Sequence, residues 1–268
     1  MTAQQGLGDT LGTGDPRGTQ HTADDIEAVA VVVPVHDEED LLEACLHALA
    51  AAVEEASGVV DVAVVVVLDG CTDRSAEIAA RFPFRSVHTA QQNVGAARAA
   101  GVDVALAELA ARRPGTSRAA VWVASTDADS QVPAHWITEH VRVARSGVDL
   151  LVGTVRPDFR DLTPEQRAAW SATHVLGVAN GHVHGANLGI RASVYGAAGG
   201  YPALDEHEDV ELVAAARRAG AREAATDRCW VLTSGRTVGR TPGGYARHLR
   251  ESLLPSEPAL QGDSLLPS

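Results

Sequence analysis

Aromatic side chains are scarce: Phe, Trp and Tyr together supply 4 % of the 268 residues. The hydrophobic fraction still reaches 45 %, so a core has to be built from Val, Ala and Leu. That points to valine-rich strands layered against alanine-rich helices. Cysteine is nearly missing. Cys45, Cys71 and Cys229 are odd in number and form no CxxC pair, which speaks against a thiolate zinc site and for a reducing compartment. No apolar run approaches the roughly 20 residues needed to span a bilayer. The N-terminus shows no basic flank ahead of an apolar stretch, so no signal peptide is expected. These absences predict a cytoplasmic protein without a transmembrane segment. Positive charge is short too: 22 Lys and Arg against 35 Asp and Glu give a formal net charge of -13. Such a balance repels nucleic acid and anionic membrane surface, and neither is expected as a partner. It also repels phosphate, unless a metal ion, a helix N-terminus or a few placed arginines offset it locally.

What is present reads as one α/β domain, for which the length is sufficient. Residues 1–25, rich in Gly, Thr, Gln and Asp, read as a disordered arm, and 251–268, which repeats Ser-Leu-Leu-Pro-Ser, as a flexible tail. Between them, continuous apolar runs at 28–35 and 60–68 predict buried parallel strands. Shorter strands are expected at 84–89 and 119–124, with helices at 39–57, 73–80 and 94–111. Strands alternating with helices imply right-handed crossovers and a parallel sheet. The second half is less regular. It predicts a strand at 149–155, a helix at 163–176, a Gly/His-rich stretch at 177–189, a strand at 188–191, a helix at 206–219 and a strand at 223–232.

In such sheets ligands sit beyond the carboxyl ends of the strands. That rule selects the loops 36–39, 69–73 and 126–130, all of them acidic, and an acidic ligand site implies a cation. Asp127 and Asp129 are one residue apart. In extended chain both side chains point the same way, and two hard oxygen donors suit Mg²⁺ or Mn²⁺. The competing reading is a solvated turn with capping aspartates. Downstream, Asp205-Glu206-His207-Glu208-Asp209 opens a helix with packed acids, which suits the helix dipole and also raises carboxyl pKa values. Gly181-His182-Val183-His184-Gly185 offers a possible metal pair or an acceptor pocket lining. Arg236, Arg240, Arg247 and Arg250 lie among glycines, as a lid over phosphates or as a solvated basic tail.

Six short motifs occur in order over roughly residues 28–219. They are Pro34-Val35-His36-Asp37-Glu38-Glu39, Leu68-Asp69-Gly70-Cys71-Thr72-Asp73, Asn93-Val94-Gly95 with Arg98, Asp127-Ala128-Asp129, Gly185-Ala186-Asn187 running to Arg191, and Gly199-Gly200-Tyr201 followed by Glu208-Asp209. In this order they resemble glycosyltransferase family 2. The resemblance implies a single-domain GT-A fold with a mainly parallel, Rossmann-like sheet flanked by helices. It divides 26–250 into a nucleotide-binding half (26–130) and an acceptor half (131–250). It implies metal-dependent transfer of a sugar from a UDP- or GDP-sugar to a hydroxyl acceptor, either a small molecule or lipid-linked.

By the same resemblance, Pro34, His36 and Glu38 line the nucleoside pocket, Asp69 accepts a hydrogen bond from the base, and Arg98 sits near the nucleotide. Asp129 binds Mg²⁺ or Mn²⁺, while Asp127 serves the ribose or the metal. Asp209 is the general base of an inverting transfer, and His184, Asn187 and Glu208 belong to the acceptor side. The chain departs from the family pattern at Asp37, Leu68, Cys71 and Ala99. A nucleotidyltransferase of related fold competes, although the Gly-rich basic loop it needs after the first strand is missing. A catalytically degenerate nucleotide-sugar-binding module is the non-enzymatic alternative.

Overall fold

Valine explains the centre of the molecule. The first strand, β1 (Ala28–Val35), is buried along nearly its whole length. It lies between β2 (Asp61–Asp69) and β4 (Val121–Ser125), parallel to both, with Val31 opposite Val64 on one side and Ala124 on the other. β3 (Arg85–Thr89) extends this parallel half beside β2. The crossovers are α1 (Leu42–Glu55), α2 (Ser75–Ala79) and α3 (Val94–Arg112). Because successive side chains of a strand point to opposite faces, β1 feeds two cores. Val29, Val31 and Val33 pack with Leu42, Leu46 and Leu49 of α1, whereas Ala28, Ala30 and Val32 pack with Val102 and Leu109 of α3.

This computed structural model describes residues 25–236, 245–247 and 249–250. The expected tail, all of the expected arm but Asp25, and Arg240 lie outside the described residues. The second half adds β5 (Ser130–Gln131), α4 (Trp136–Arg145), β6 (Leu150–Pro157), α5 (Pro164–Thr173), β7 (Leu188–Arg191), α6 (Ala192–Ala197), α7 (Glu208–Arg218) and β8 (Glu223–Thr233). The sheet runs β3-β2-β1-β4-β7-β6-β8-β5. β7 is antiparallel to both neighbours, while β6 and β8 are parallel to each other. Helix α4, absent from the sequence reading, buries Trp136 and Ile137 in the α1 layer. No helix among the described residues is long and apolar enough to cross a membrane.

One polar side chain ties the second half together. Asn187, fully buried at the start of β7, accepts from Trp136 Nε1 at 2.8 Å and donates Nδ2 to the carbonyls of Thr154 (3.0 Å) and Cys229 (2.9 Å). Gly153 makes room for it, since a Cβ there would stand 2.2 Å from Asn187 Nδ2. A buried carboxamide with all these partners is a structural joint. Asn187, expected on the acceptor side, therefore belongs to the core, because its hydrogen-bonding capacity is used up joining α4, β6 and β8.

Candidate active site

The carboxyl ends of β1, β2 and β4 open on a cavity of about 710 Å³. Pro34, His36, Glu38, Asp69, Asp127 and Asp129 all line it. The three acidic loops therefore converge, as the sheet rule requires. β8 brings a fourth segment. Its end pairs with β5, Thr233 opposite Ser130, and this carries Ser234 and Arg236 to the wall beside Asp129.

Each loop is braced from within. Asp37, at φ 49°, accepts from the Thr72 N–H at 2.6 Å, and Asp73 accepts from the Glu39 and Ser75 N–H groups. Ligand-type atoms of Asp37, Cys71 and Asp73 lie within 4.8 Å of one another, yet these carboxylates are already spent on holding the first two loops together. Asp69 is engaged in a similar way. It accepts from Thr89 Oγ1 (2.8 Å) and the N–H groups of Gln91 (2.7 Å) and Asn93 (2.9 Å). Burial opposes its ionisation, but these donors outweigh burial and hold the carboxyl below its ordinary range. The Asp69 carbonyl accepts from His36 Nδ1 at 2.6 Å, so that nitrogen carries the proton.

Arg98, expected beside the nucleotide, is instead almost wholly buried beneath the site. Its Nη2 donates to Asp127 and its Nε donates to Glu208 at 2.9 Å. Burial alone weakens a guanidinium charge; Asp127 and Glu208 more than offset it, so the side chain stays a cation. Gly185 is required here, because a Cβ would lie 2.4 Å from Arg98 Nη2. Glu208, expected on the acceptor side, is the buried partner of this arginine, although it also lines the neighbouring cavity.

That neighbouring cavity, about 340 Å³, is lined by His182, His184, His207, Asp209 and Tyr245, and it shares Val94, Asp205 and Tyr245 with the first. The start of α3 fixes the junction. The Asn93 Oδ1 caps the helix by accepting from the Ala96 N–H, while Nδ2 donates to Asp205 Oδ1 at 2.7 Å. Gly95 lets the 202–204 backbone approach, for a Cβ would meet the Pro202 carbonyl at 2.0 Å. Asp209 thus stands on the first turn of α7 at a defined place. Its carboxyl is raised by burial first and by Glu208 second, with Arg98 pulling the other way. His182 and His184, 6.3 Å apart between ring centres, belong to no group of three ligand-type side chains among the described residues.

The acids at the first cavity already share a cation. Arg236 Nη2 lies 2.6 Å from Glu38 Oε1 and 3.0 Å from Asp129 Oδ2. Asp129 is raised to about 6 by burial and by Asp127, with Arg236 opposing. A hard-oxygen set that holds a guanidinium is chemically suited to Mg²⁺ or Mn²⁺. Arg236 was visible in sequence only as one of four arginines, because its partner Glu38 lies 198 residues away.

No curated protein matches the chain. The sequence model of Glycosyl transferase family 2 matches residues 30–195. The chain belongs to this family. The fold of this family 2 protein is similar to that of TarS 1-349 from S. aureus, with 14 % identity, 79 % of this chain and 61 % of that chain covered, and a TM-score of 0.51. It is also similar to the mannosyltransferase PcManGT from Pyrobaculum calidifontis, solved in complex with GDP-Man and Mn²⁺, with 19 % identity, 81 % and 58 % coverage, and a TM-score of 0.54. The chain thus spans less than two thirds of either chain. Both likenesses concern the fold, which is GT-A: a mainly parallel central sheet flanked by helices, in a single domain.

Proposed function

We propose that this family 2 protein is a glycosyltransferase that moves a sugar from a UDP- or GDP-sugar to a hydroxyl acceptor, with inversion. The observation that carries the reading is the Arg98 bridge. One buried guanidinium fixes Asp127, which lines the larger cavity, relative to Glu208, the neighbour of Asp209 in the smaller one. The larger cavity takes the nucleotide between Pro34, His36, Glu38 and Asp69, and the smaller one takes the acceptor past His184. In this reading residues 26–130 form the donor half and 131–250 the acceptor half.

Asp209 accepts the proton of the acceptor hydroxyl while that oxygen attacks the anomeric carbon. The bond from that carbon to the diphosphate oxygen breaks on the opposite face. A carboxyl raised by burial is a stronger base once ionised, which suits it to this task. Asp129 and Asp127 are the residues that would hold Mg²⁺ or Mn²⁺, which when bound supplies neutralisation of the departing diphosphate charge. Arg98 orients both carboxylate groups and holds Glu208 beside the base. The acceptor is a small molecule or a lipid-linked sugar.

The test is Asp209→Asn assayed by hydrolysis of UDP- and GDP-sugars, alongside thermal stabilisation by UDP and GDP with Mn²⁺. Loss of hydrolysis with nucleotide stabilisation retained is the expected result. Unchanged hydrolysis removes Asp209 from the mechanism, and absence of any hydrolysis in the parent protein with binding intact supports a binding module instead.

A further inference from the structure

Arg236 is the element of the site that the transfer reaction does not explain. Its two terminal nitrogens grip both oxygens of Glu38, at 3.0 and 2.6 Å, and Nη2 also reaches Asp129 Oδ2 at 3.0 Å. The other oxygen of Asp129, Oδ1, faces the hydroxyls of Ser130 (3.2 Å) and Thr233 (3.5 Å). Oδ2 is therefore the oxygen turned toward the cavity, and it is the one Arg236 covers. Arginine stays charged at any working pH, so it is not released by losing its own proton. The backbone beside it is anchored, with the Gly235 N–H donating to Asp161 Oδ2 at 2.9 Å. The guanidinium, about one third exposed, can swing on that anchor without the strand moving.

We infer that Arg236 is a built-in counter-cation: it occupies the divalent-cation position on Asp129 and Glu38 until a nucleotide arrives with its metal ion and displaces it. The inference rests on the reading of Asp129 as the metal-binding residue. Two consequences follow from one charge competing with another for the same oxygen. The free protein binds Mn²⁺ poorly, because the ion must first expel a guanidinium held by two carboxylates. Nucleotide and metal then bind with mutual assistance, since the displaced fork remains in the same cavity, where its paired N–H groups match a phosphate. The arrangement makes cation binding conditional on the donor, in a protein whose charge of -13 would otherwise collect cations freely.

The experiment titrates Mn²⁺ alone into the full chain, following free ion by electron paramagnetic resonance, and repeats the titration with saturating UDP or GDP. Arg236→Gln is expected to bind Mn²⁺ alone about tenfold more tightly than the parent, within the roughly 5–150-fold range of typical site couplings. Its nucleotide affinity in Mn²⁺ is expected to fall. Arg236→Lys, which keeps the charge, is expected to stay close to the parent for Mn²⁺ alone, and this guards against a misfolded Gln variant. If Arg236→Gln binds Mn²⁺ alone no better than the parent while Asp129→Asn abolishes cation-dependent nucleotide binding, the counter-cation role fails and the metal reading stands. If Asp129→Asn leaves that binding intact, the metal reading fails and the inference goes with it.

Discussion

At the residue scale the proposed chemistry rests on four side chains: Asp127, Arg98, Glu208 and Asp209. Arg98 and Glu208 are both buried, with side-chain exposures of 2 % and 7 %, whereas Asp127 retains 37 %. Removing the guanidinium therefore strands mainly Glu208. Arg98→Met is expected to destabilise the fold by about 3–5 kcal/mol, the usual cost of leaving a buried charge without its partner. The double variant Arg98→Met/Glu208→Gln should recover part of that loss in chemical denaturation, because the stranded charge is gone. Asp209 gives a kinetic counterpart. As the proposed base it acts when ionised, and its pKa is raised by burial and then by Glu208. Hydrolysis of the donor should consequently fall as pH drops through this raised pKa, at higher pH than an ordinary aspartate would allow. Glu208→Gln removes one raising charge, so the acid limb of the kcat profile should move to lower pH. Asp209→Asn should lose about 10²–10⁴-fold in rate, the range of general-base assistance.

At the scale of elements, legibility follows how local the signal is. β1 and β2 are continuous valine runs, and the alternating strand–helix spacing that frames them needs no distant partner. The acidic loops at their ends were readable for the same reason. α4 is the exception: Trp136, Ile137, Val141 and Ala144 recur at helical spacing and are buried, so this helix was legible from a local pattern that the sequence reading passed over. β5 has two residues and exists only through pairing with β8, about 100 residues later. The strand at Leu188–Arg191 was legible, but its antiparallel direction follows from contacts with β4 and β6. Asn187 shows the same limit within a motif. Its sequence context signals importance without saying whether the side chain faces a ligand or the core. Asn187→Ala would leave the Trp136 N–H and the Thr154 and Cys229 carbonyls short of a partner. A loss of about 2–4 kcal/mol is expected in thermal or denaturant unfolding, given 1–3 kcal/mol for each unsatisfied buried group and incomplete additivity. The donor KM at a temperature below the lowered Tm should stay within twofold; a large KM change with unaltered Tm would return Asn187 to the site.

At the scale of the whole molecule, charge decides how a nucleotide can be held. The net charge is -13, and all 22 basic residues are arginines. Several of these are committed to internal acids, Arg98 to Asp127 and Glu208, Arg156 to Asp227, and Arg191 to Asp149. The larger cavity, the proposed donor site, is walled by Glu38, Asp69, Asp127, Asp129 and Asp205, with Arg236 as the cation among its lining residues within the described chain. A diphosphate entering that wall needs added positive charge, so binding should require the metal. With Mn²⁺ and UDP or GDP at about 100 times Kd, stabilisation of about 2.7 kcal/mol is expected. At roughly 2–4 °C per kcal/mol for a domain of this size, that is a rise in Tm of about 5–11 °C. Chelation with EDTA should abolish it. Under EDTA the sign of the salt effect becomes informative. A basic phosphate site loses affinity as salt rises, but here screening weakens the repulsion between nucleotide and protein. Any residual nucleotide stabilisation should therefore grow between about 0.05 and 0.5 M salt, across which the screening length shortens severalfold. A Tm rise that is full size in EDTA and shrinks with salt would mean that arginines carry the diphosphate, and that Asp127 and Asp129 serve something other than a metal.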